Sequence, residues 1–343
     1  MLYWGVSARG ASLGSAGASE TRKLRPPVIG IVGPTAIGKT AVGLELAEKL
    51  GGEAEILSAD SMQVYRRMDI GAAKPTEEEK ARATFHAIDL VDPDEDFTLA
   101  DFQAVAEVSF DEIARRGRVA LLVGGTGLYV RAITTNLEIP QSPPEPALRE
   151  RWRQFAIQHG QEALHMELAR IDPQSAARIH VNDTKRIIRA LEVYEKTGQP
   201  LSTWHAENRR RSEGDNRRQV LFALNCNRAT LYEAIEQRVD RMILDGFVDE
   251  VKGLRSEGYS PSLKPMQALG YKQVNSYLDG EITLETAIDA VKKETRHFAR
   301  RQLIWFRADK RLNWISTDGL TPNAIAEQIR CAVDALNGSF LTT

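Results

Sequence analysis

The run Gly33-Pro34-Thr35-Ala36-Ile37-Gly38-Lys39-Thr40 places two glycines and a Lys-Thr pair in the spacing G-x-x-x-x-G-K-[ST]. Those types at that spacing can hold phosphate. The glycines let the backbone curl so that successive N–H groups face one point, and a following helix would aim its N-terminus at the same anion. Lys39 adds a point charge for the terminal phosphate, and the Thr40 hydroxyl can ligate Mg²⁺. A Gly-rich turn with an exposed lysine is the plain alternative. A second candidate is Asp60 in "SADSMQVY". A carboxylate there can bind metal-bound water or take a proton from a nucleophile; alternatively Asp60 or Ser61 only caps the next turn. A third is Thr126 in "ALLVGGTGLY". A nucleotide-hydrolysing P-loop protein ends the corresponding strand in an acid that holds Mg²⁺. Here the run ends in Gly124-Gly125-Thr126-Gly127, which offers close backbone approach and one hydroxyl, or simply a tight turn.

The elements around these residues must bring them together. "VIGIV" (28–32), "AEILS" (54–58), "HAIDLV" (86–91) and "VALLVG" (119–124) read as buried strands, and "TAVGLELAEKL" (40–50) has helical spacing. "SPPEP" (142–146) signals a linker. Residues 147–210 then read as helices, with Asn182-Asp183 as N-cap and Gly198 as C-cap of "TKRIIRALEVYEKTG". Strand-like "QVLFALN" (219–225) and "RLNWIS" (311–316) return later, bracketing long helices that include "TLETAIDAVKKETRHFARRQLIWFR". The mixed-charge run "ENRRRSEGDNRR" (207–218) reads as a surface loop. The fold expected is α/β, a P-loop-type, mostly parallel sheet flanked by helices, with an inserted helical domain. Its parts are a disordered extension over 1–24 or a start codon placed too early, a core over 25–142 and 216–335, and an insertion over 143–215.

Composition narrows the class. The 343 residues are 42% hydrophobic and 27% charged, and no apolar run approaches the length of a membrane span. Cys226 and Cys331 lie far apart without a Cys-x-x-Cys partner, which argues for a reducing compartment and against structural zinc. The formal net charge is −2, so a nucleic-acid partner would need a local basic surface. Lys185 and Arg189 share one helix face, and Lys293, Arg296, Arg300 and Arg301 form a second basic stripe. A solvated face is the ordinary meaning of such stripes.

Six ordered segments resemble the tRNA dimethylallyltransferases (tRNA isopentenyltransferases) of bacterial type. They are "GPTAIGKT", "SADSMQVYRRMDIGAAKP", "LLVGGTGLYVRA", "IDPQSAARIHVNDTKRIIRALEVYEKTG", "MQALGYKQ" and "TRHFARRQLIWFR", within a match from about Val28 to Ser316. The resemblance implies transfer of a dimethylallyl group from dimethylallyl diphosphate to N6 of the adenosine just 3′ of the anticodon. The loop would then hold the leaving diphosphate, with Mg²⁺ as cofactor. Asp60 would accept the N6 proton, Thr126 would position the reacting groups, and Arg149 would reach back to the diphosphate. The anticodon stem-loop would touch Asp60, Ser61, Met62 and Gln63, then Lys185, Arg186, Ile187, Ile188 and Arg189, then Gln267, Ala268, Leu269, Gly270, Tyr271 and Lys272. A cytoplasmic monomer that avoids membranes is implied. Ile37 departs from the family's small polar residue, Val181 stands where a proline is usual, and no Cys/His cluster follows residue 317. Two other enzyme readings stay open, a P-loop small-molecule kinase and a free-nucleotide isopentenyltransferase. A non-catalytic RNA-binding protein with a vestigial loop is the third.

Overall fold

The computed structural model describes residues 25–135, 137–140, 144–212 and 218–336, with the backbone alone over 208–212. The extension 1–24 and part of the expected linker and surface loop therefore lie outside the described residues. The sheet strands are β1 Val28–Val32, β2 Ala54–Ser58, β3 Phe85–His86, β4 Val119–Gly124, β5 Gln219–Asn225 and β6 Leu312–Ser316. They stand in the order β3-β2-β4-β1-β5-β6, and every pairing is parallel.

The apolar central strands β1, β2, β4 and β5 are buried on both faces. Val28 and Val32 of β1 face one layer, while Ile29 and Ile31 face the other. The first layer holds α3 (Leu99–Arg115) and α4 (Gly127–Thr134), with α11 (Phe247–Ser256) and α12 (Tyr271–Leu278) packed beside them. The second holds α1 (Lys39–Lys49), α10 (Arg228–Leu244) and α14 (Pro322–Ala335). A short α2 (Glu77–Arg82) precedes β3. Each Ile or Leu fully buried in these layers is worth about 1.5–3 kcal/mol. Among the described residues no helix is long and apolar enough to cross a membrane.

Between α4 and β5 runs the helical insertion: α5 (Pro146–His159), α6 (Gln161–Ile171), α7 (Pro173–Ala176), α8 (Thr184–Thr197) and α9 (Leu201–Ser212). Leu164, Leu168, Ile187, Ile188 and Leu191 close an apolar cluster of their own, separate from the sheet layers. Asp183 caps α8 by accepting the Arg186 N–H at 3.2 Å, and Gly198 ends it at φ 71°. The final long helix, α13 (Leu284–Arg307), buries Val291, Thr295, Ala299, Gln302 and Phe306 along one face and exposes Lys293, Arg300 and Arg301.

Two local expectations need correction. "HAIDLV" is a strand only to His86, because Ala87 (φ 61°) and Asp89 (φ 54°) turn the chain out of the sheet. Val91 then makes an isolated bridge to Tyr65. The stretch 207–212, read as loop, continues α9. Its charged sequence is compatible with an exposed helix, which polarity alone does not distinguish from a loop.

Candidate functional site

The register of the sheet decides what can meet. Val32 of β1 stands opposite Gly124 of β4, and Val123 of β4 opposite Ser58 of β2. Three strands thus end level at their carboxyl edge, where open parallel sheets hold ligands. The phosphate loop leaves β1, Asp60 follows β2, and Gly125-Thr126 follows β4.

The loop has the backbone its glycines allow. Gly33 sits at φ 149° and Gly38 at φ 86°, and a Cβ on Gly33 would lie 2.8 Å from the Leu224 carbonyl. Ala36 adopts φ 64°, a conformation costing roughly 1–2 kcal/mol in a non-glycine residue. Gly38 is also the N-cap of α1 and supplies no side-chain cap. The first N–H groups of α1 therefore face the loop's concavity, the arrangement an anion satisfies.

A cavity of about 280 Å³ opens there, lined by Thr35, Gly38, Lys39, Thr40, Asp60, Arg238, Phe298 and Gln302 among others. Lys39 Nζ donates to the Pro34 carbonyl at 2.7 Å. Burial, reinforced by the Arg238 charge and opposed by Asp60, lowers the Lys39 pKa to about 7. Burial also lowers the Arg238 pKa, against the pull of Asp60. Arg238 makes no ion pair among the described residues. Two cations that line one cavity, neither in an ion pair among the described residues, are arranged to receive a multivalent anion.

Asp60 both caps its turn and reaches the cavity. Its Oδ1 accepts the Met62 N–H at 2.9 Å, capping the turn, and its carboxylate lines the cavity. Thr126 lies one layer back. Its Oγ1 accepts the Ser61 N–H at 3.0 Å and its own N–H donates to the Ala59 carbonyl at 3.0 Å. Thr126 therefore fixes the Asp60 segment to the end of β4. Gln63 is held at both ends, Oε1 accepting from Ser58 Oγ at 2.7 Å and Nε2 donating to the Ala73 carbonyl at 3.0 Å.

Other expected residues stand elsewhere. Arg149 bonds Glu192 bidentately at 2.9 and 2.8 Å within the insertion, and it does not line the cavity. Glu192, fully buried, also accepts from Arg189 at 2.6 Å and from the Glu145 N–H at 2.8 Å. Burial opposes its ionisation, but these donors win and hold its pKa at about 2. Ile187 and Ile188 are buried, which leaves their side chains unavailable to RNA. So is Tyr271, only 1% exposed, whose hydroxyl donates to Glu250 at 2.7 Å. Glu250 also accepts the N–H groups of Asp69, Ile70 and Gly71, so Tyr271 helps anchor a loop that reaches the cavity through Ala72 and Ala73. Gln267, Lys272, Lys185 and Arg186 are exposed, whereas Met62, Ala268 and Leu269 are half-buried and Gly270 is buried.

Sequence reasoning missed Arg238 and Gln302 altogether. Arg238 lies in "EQRVDRM", an ordinary amphipathic stretch, and only the packing of α10 against α13 brings it to the loop. The available signal for Gln302 was its place on the buried face of α13.

Comparisons with known proteins agree on one family. The IPP transferase family model matches residues 63–309, and an isopentenyl transferase model matches residues 26–86. The tRNA dimethylallyltransferase of Heliobacterium modesticaldum is 48% identical over 314 residues, spanning 90% of this chain and 95% of the relative. That of Symbiobacterium thermophilum is 46% identical over 296 residues, 86% of this chain and 91% of the relative. Among solved structures, the tRNA isopentenylpyrophosphate transferase of Bacillus halodurans superposes with a TM-score of 0.66 at 40% identity, covering 91% of this chain and 97% of that one. A eukaryotic dimethylallyltransferase acting on tRNA gives a TM-score of 0.74 at 26% identity, covering 91% and 79%.

Proposed function

The chain belongs to the tRNA dimethylallyltransferase family, and we propose that its strand-end cavity transfers a dimethylallyl group from dimethylallyl diphosphate to N6 of the adenosine 3′-adjacent to the anticodon. The observation that carries this reading is the pairing of two cations, Lys39 and Arg238, with one carboxylate, Asp60, around a phosphate loop. No acid ends β4, so the site lacks the strand-end carboxylate of a nucleotide hydrolase.

The loop N–H groups and the N-terminus of α1 hold the diphosphate. Lys39 and Arg238 take up the charge that grows on it as the allylic C–O bond breaks, a transition-state interaction worth several kcal/mol. The electron pair of that bond leaves with diphosphate. N6 bonds to the allylic carbon, and Asp60 accepts the proton the amine sheds. An aromatic amine is a weak nucleophile because its lone pair is delocalised, so a carboxylate acting as attack proceeds suits the chemistry. Phe298 supplies an apolar wall on the same cavity.

The donor set fits a magnesium ion carried in with the diphosphate. Thr40 offers a hydroxyl to the cavity and Asp60 could hold a metal-bound water there, while among the described residues no group of three His, Cys, Asp or Glu could hold an ion unaided. Bound there, the ion would neutralise diphosphate charge. The exposed Lys185, Arg186, Gln267 and Lys272, with Lys293, Arg300 and Arg301 of α13, supply phosphate contacts to the anticodon stem-loop.

The test is to supply isoprenoid-labelled dimethylallyl diphosphate, or ATP labelled in its terminal phosphate, with and without tRNA. Label from the isoprenoid should enter tRNA and appear on one adenosine. Label on a free nucleotide would indicate the nucleotide isopentenyltransferase reading, and phosphate moving from ATP to a small molecule would indicate a kinase. RNA binding without any transfer would leave only the binding-protein reading.

A further inference from the structure

The Gln302 side chain joins two loops that the reaction must hold at a fixed spacing. Its Oε1 accepts the Thr35 N–H of the phosphate loop at 2.8 Å, and its Nε2 donates to the Gly125 carbonyl at 2.9 Å. It is 7% exposed, so neither bond is shared freely with water. From Gly125 the connection continues through Thr126, whose hydroxyl and N–H hold Ser61 and Ala59 on either side of Asp60. A single amide thus bridges the cradle of the leaving group and the segment that carries the base.

An amide suits the bridge. It accepts on one atom and donates on another at the end of a long side chain, and so satisfies the Thr35 N–H and the Gly125 carbonyl at once. A glutamate would keep the Thr35 bond, but its charge would face the Gly125 carbonyl and a cavity built for an anion. The fit is also tight: a Cβ on Gly125 would lie 2.4 Å from Gln302 Nε2, and one on Gly127 would lie 2.1 Å from the Trp305 ring of the same helix. α13 carries the exposed Arg300 and Arg301 next to Gln302.

We propose that Gln302 is a positioning residue for prenyl transfer, setting the distance between the diphosphate loop and Asp60 and tying both to the helix that faces RNA. This inference rests on the transferase reading given above. Misplacing reacting groups by about 1 Å can cost roughly 100-fold in rate with little change in binding.

Transfer to tRNA is measured for wild type and for Gln302→Met and Gln302→Glu at a temperature where circular dichroism shows each protein folded. Label incorporation by wild type tests the transferase reading independently, so a silent wild type would sink that reading and a silent variant beside an active wild type would not. Gln302→Met should lose about 100-fold in kcat while KM for dimethylallyl diphosphate and for tRNA stays within about threefold; Gln302→Glu should lose kcat to the same extent and also raise KM for dimethylallyl diphosphate, because its charge faces the anion cavity. An unchanged kcat with a lowered melting temperature would overturn the proposal and leave Gln302 a packing residue. A raised KM for dimethylallyl diphosphate at constant kcat would overturn it in favour of direct substrate binding. If Gln302→Met fails to fold, Gln302→Glu, of the same size and shape, decides on kcat at saturating dimethylallyl diphosphate alone; failure of both to fold would also overturn it, because the residue would then hold the fold rather than the site.

Discussion

The strand-end cavity and the helical insertion treat charge in opposite ways. At the cavity, Lys39 and Arg238 form no ion pair among the described residues and share the field of one carboxylate, Asp60, while burial lowers the pKa of each. In the insertion, Arg149 and Arg189 converge on one buried carboxylate, Glu192, and spend their charge inside the protein. Unspent cations mark a place that waits for an anion, whereas satisfied ones mark a joint. The resemblance implies a diphosphate ligand in Arg149; in this structure its guanidinium joins Glu192 instead and does not line the cavity. Pulling it away would leave Glu192 leaning on Arg189 and one backbone N–H.

Lys39→Met should break the cavity side of this comparison most severely. We expect about 10³-fold loss of turnover, since one preorganised charge at a developing anion is worth about that much. Stability should not fall. Because the Lys39 pKa is lowered to about 7, the unfolded chain binds more protons than the folded one between about 7 and the ordinary value of 10.5. Wild type therefore gains stability from this group as pH rises through that window, and at pH 7 the lysine is a net burden that methionine removes. Thermal melts of both proteins at pH 7 and pH 9 check the sign: the variant should be at least as stable at pH 7, with its advantage shrinking at pH 9.

On the insertion side, Arg149→Gln should act on stability first. It removes a bidentate partner from a buried carboxylate, costing about 1–3 kcal/mol with Arg189 still in place. The Glu192 pKa is depressed to about 2, so its contribution is present above the ordinary carboxylate value and is lost as pH falls toward 2. The variant should therefore lie below wild type at neutral pH and converge with it in acid, as read by urea melts. Loss of diphosphate affinity without loss of stability would return Arg149 to the active site.

The smallest effect is expected on the exposed surface. Lys185→Gln with Arg300→Gln should weaken all substrate tRNAs alike and reduce the salt slope of binding by about 2, with turnover at saturating tRNA kept. Filter binding across a salt series measures this. A change confined to one tRNA would mean that these side chains read sequence.

What could be read from the chain follows the same division. The phosphate loop, Asp60 and the Gly125-Thr126 turn are legible because short, position-specific patterns at strand ends carry their geometry locally. Arg238 and Gln302 are not, since each sits in an unremarkable helix and reaches the site only through the packing of α10 and α13 against each other. Tyr271 was misread for a related reason: "MQALGYKQ" mixes exposed Gln267 and Lys272 with a tyrosine that turns inward to Glu250, and spacing alone does not say which way each points. The abrupt end of β3 at His86 rests on Ala87 and Asp89 in left-handed backbone, a conformation that alanine gives no hint of.

The central claim is that chemistry resides at the strand ends while RNA is held elsewhere, and Asp60→Asn separates the two most directly. The substitution keeps the shape and the turn-capping oxygen but removes the base. Single-turnover transfer and tRNA affinity are to be measured on the same preparation. We expect transfer to fall at least about 100-fold with the tRNA Kd within about threefold of wild type. A wild-type rate, or a loss of binding that matches the loss of transfer, would contradict the assignment.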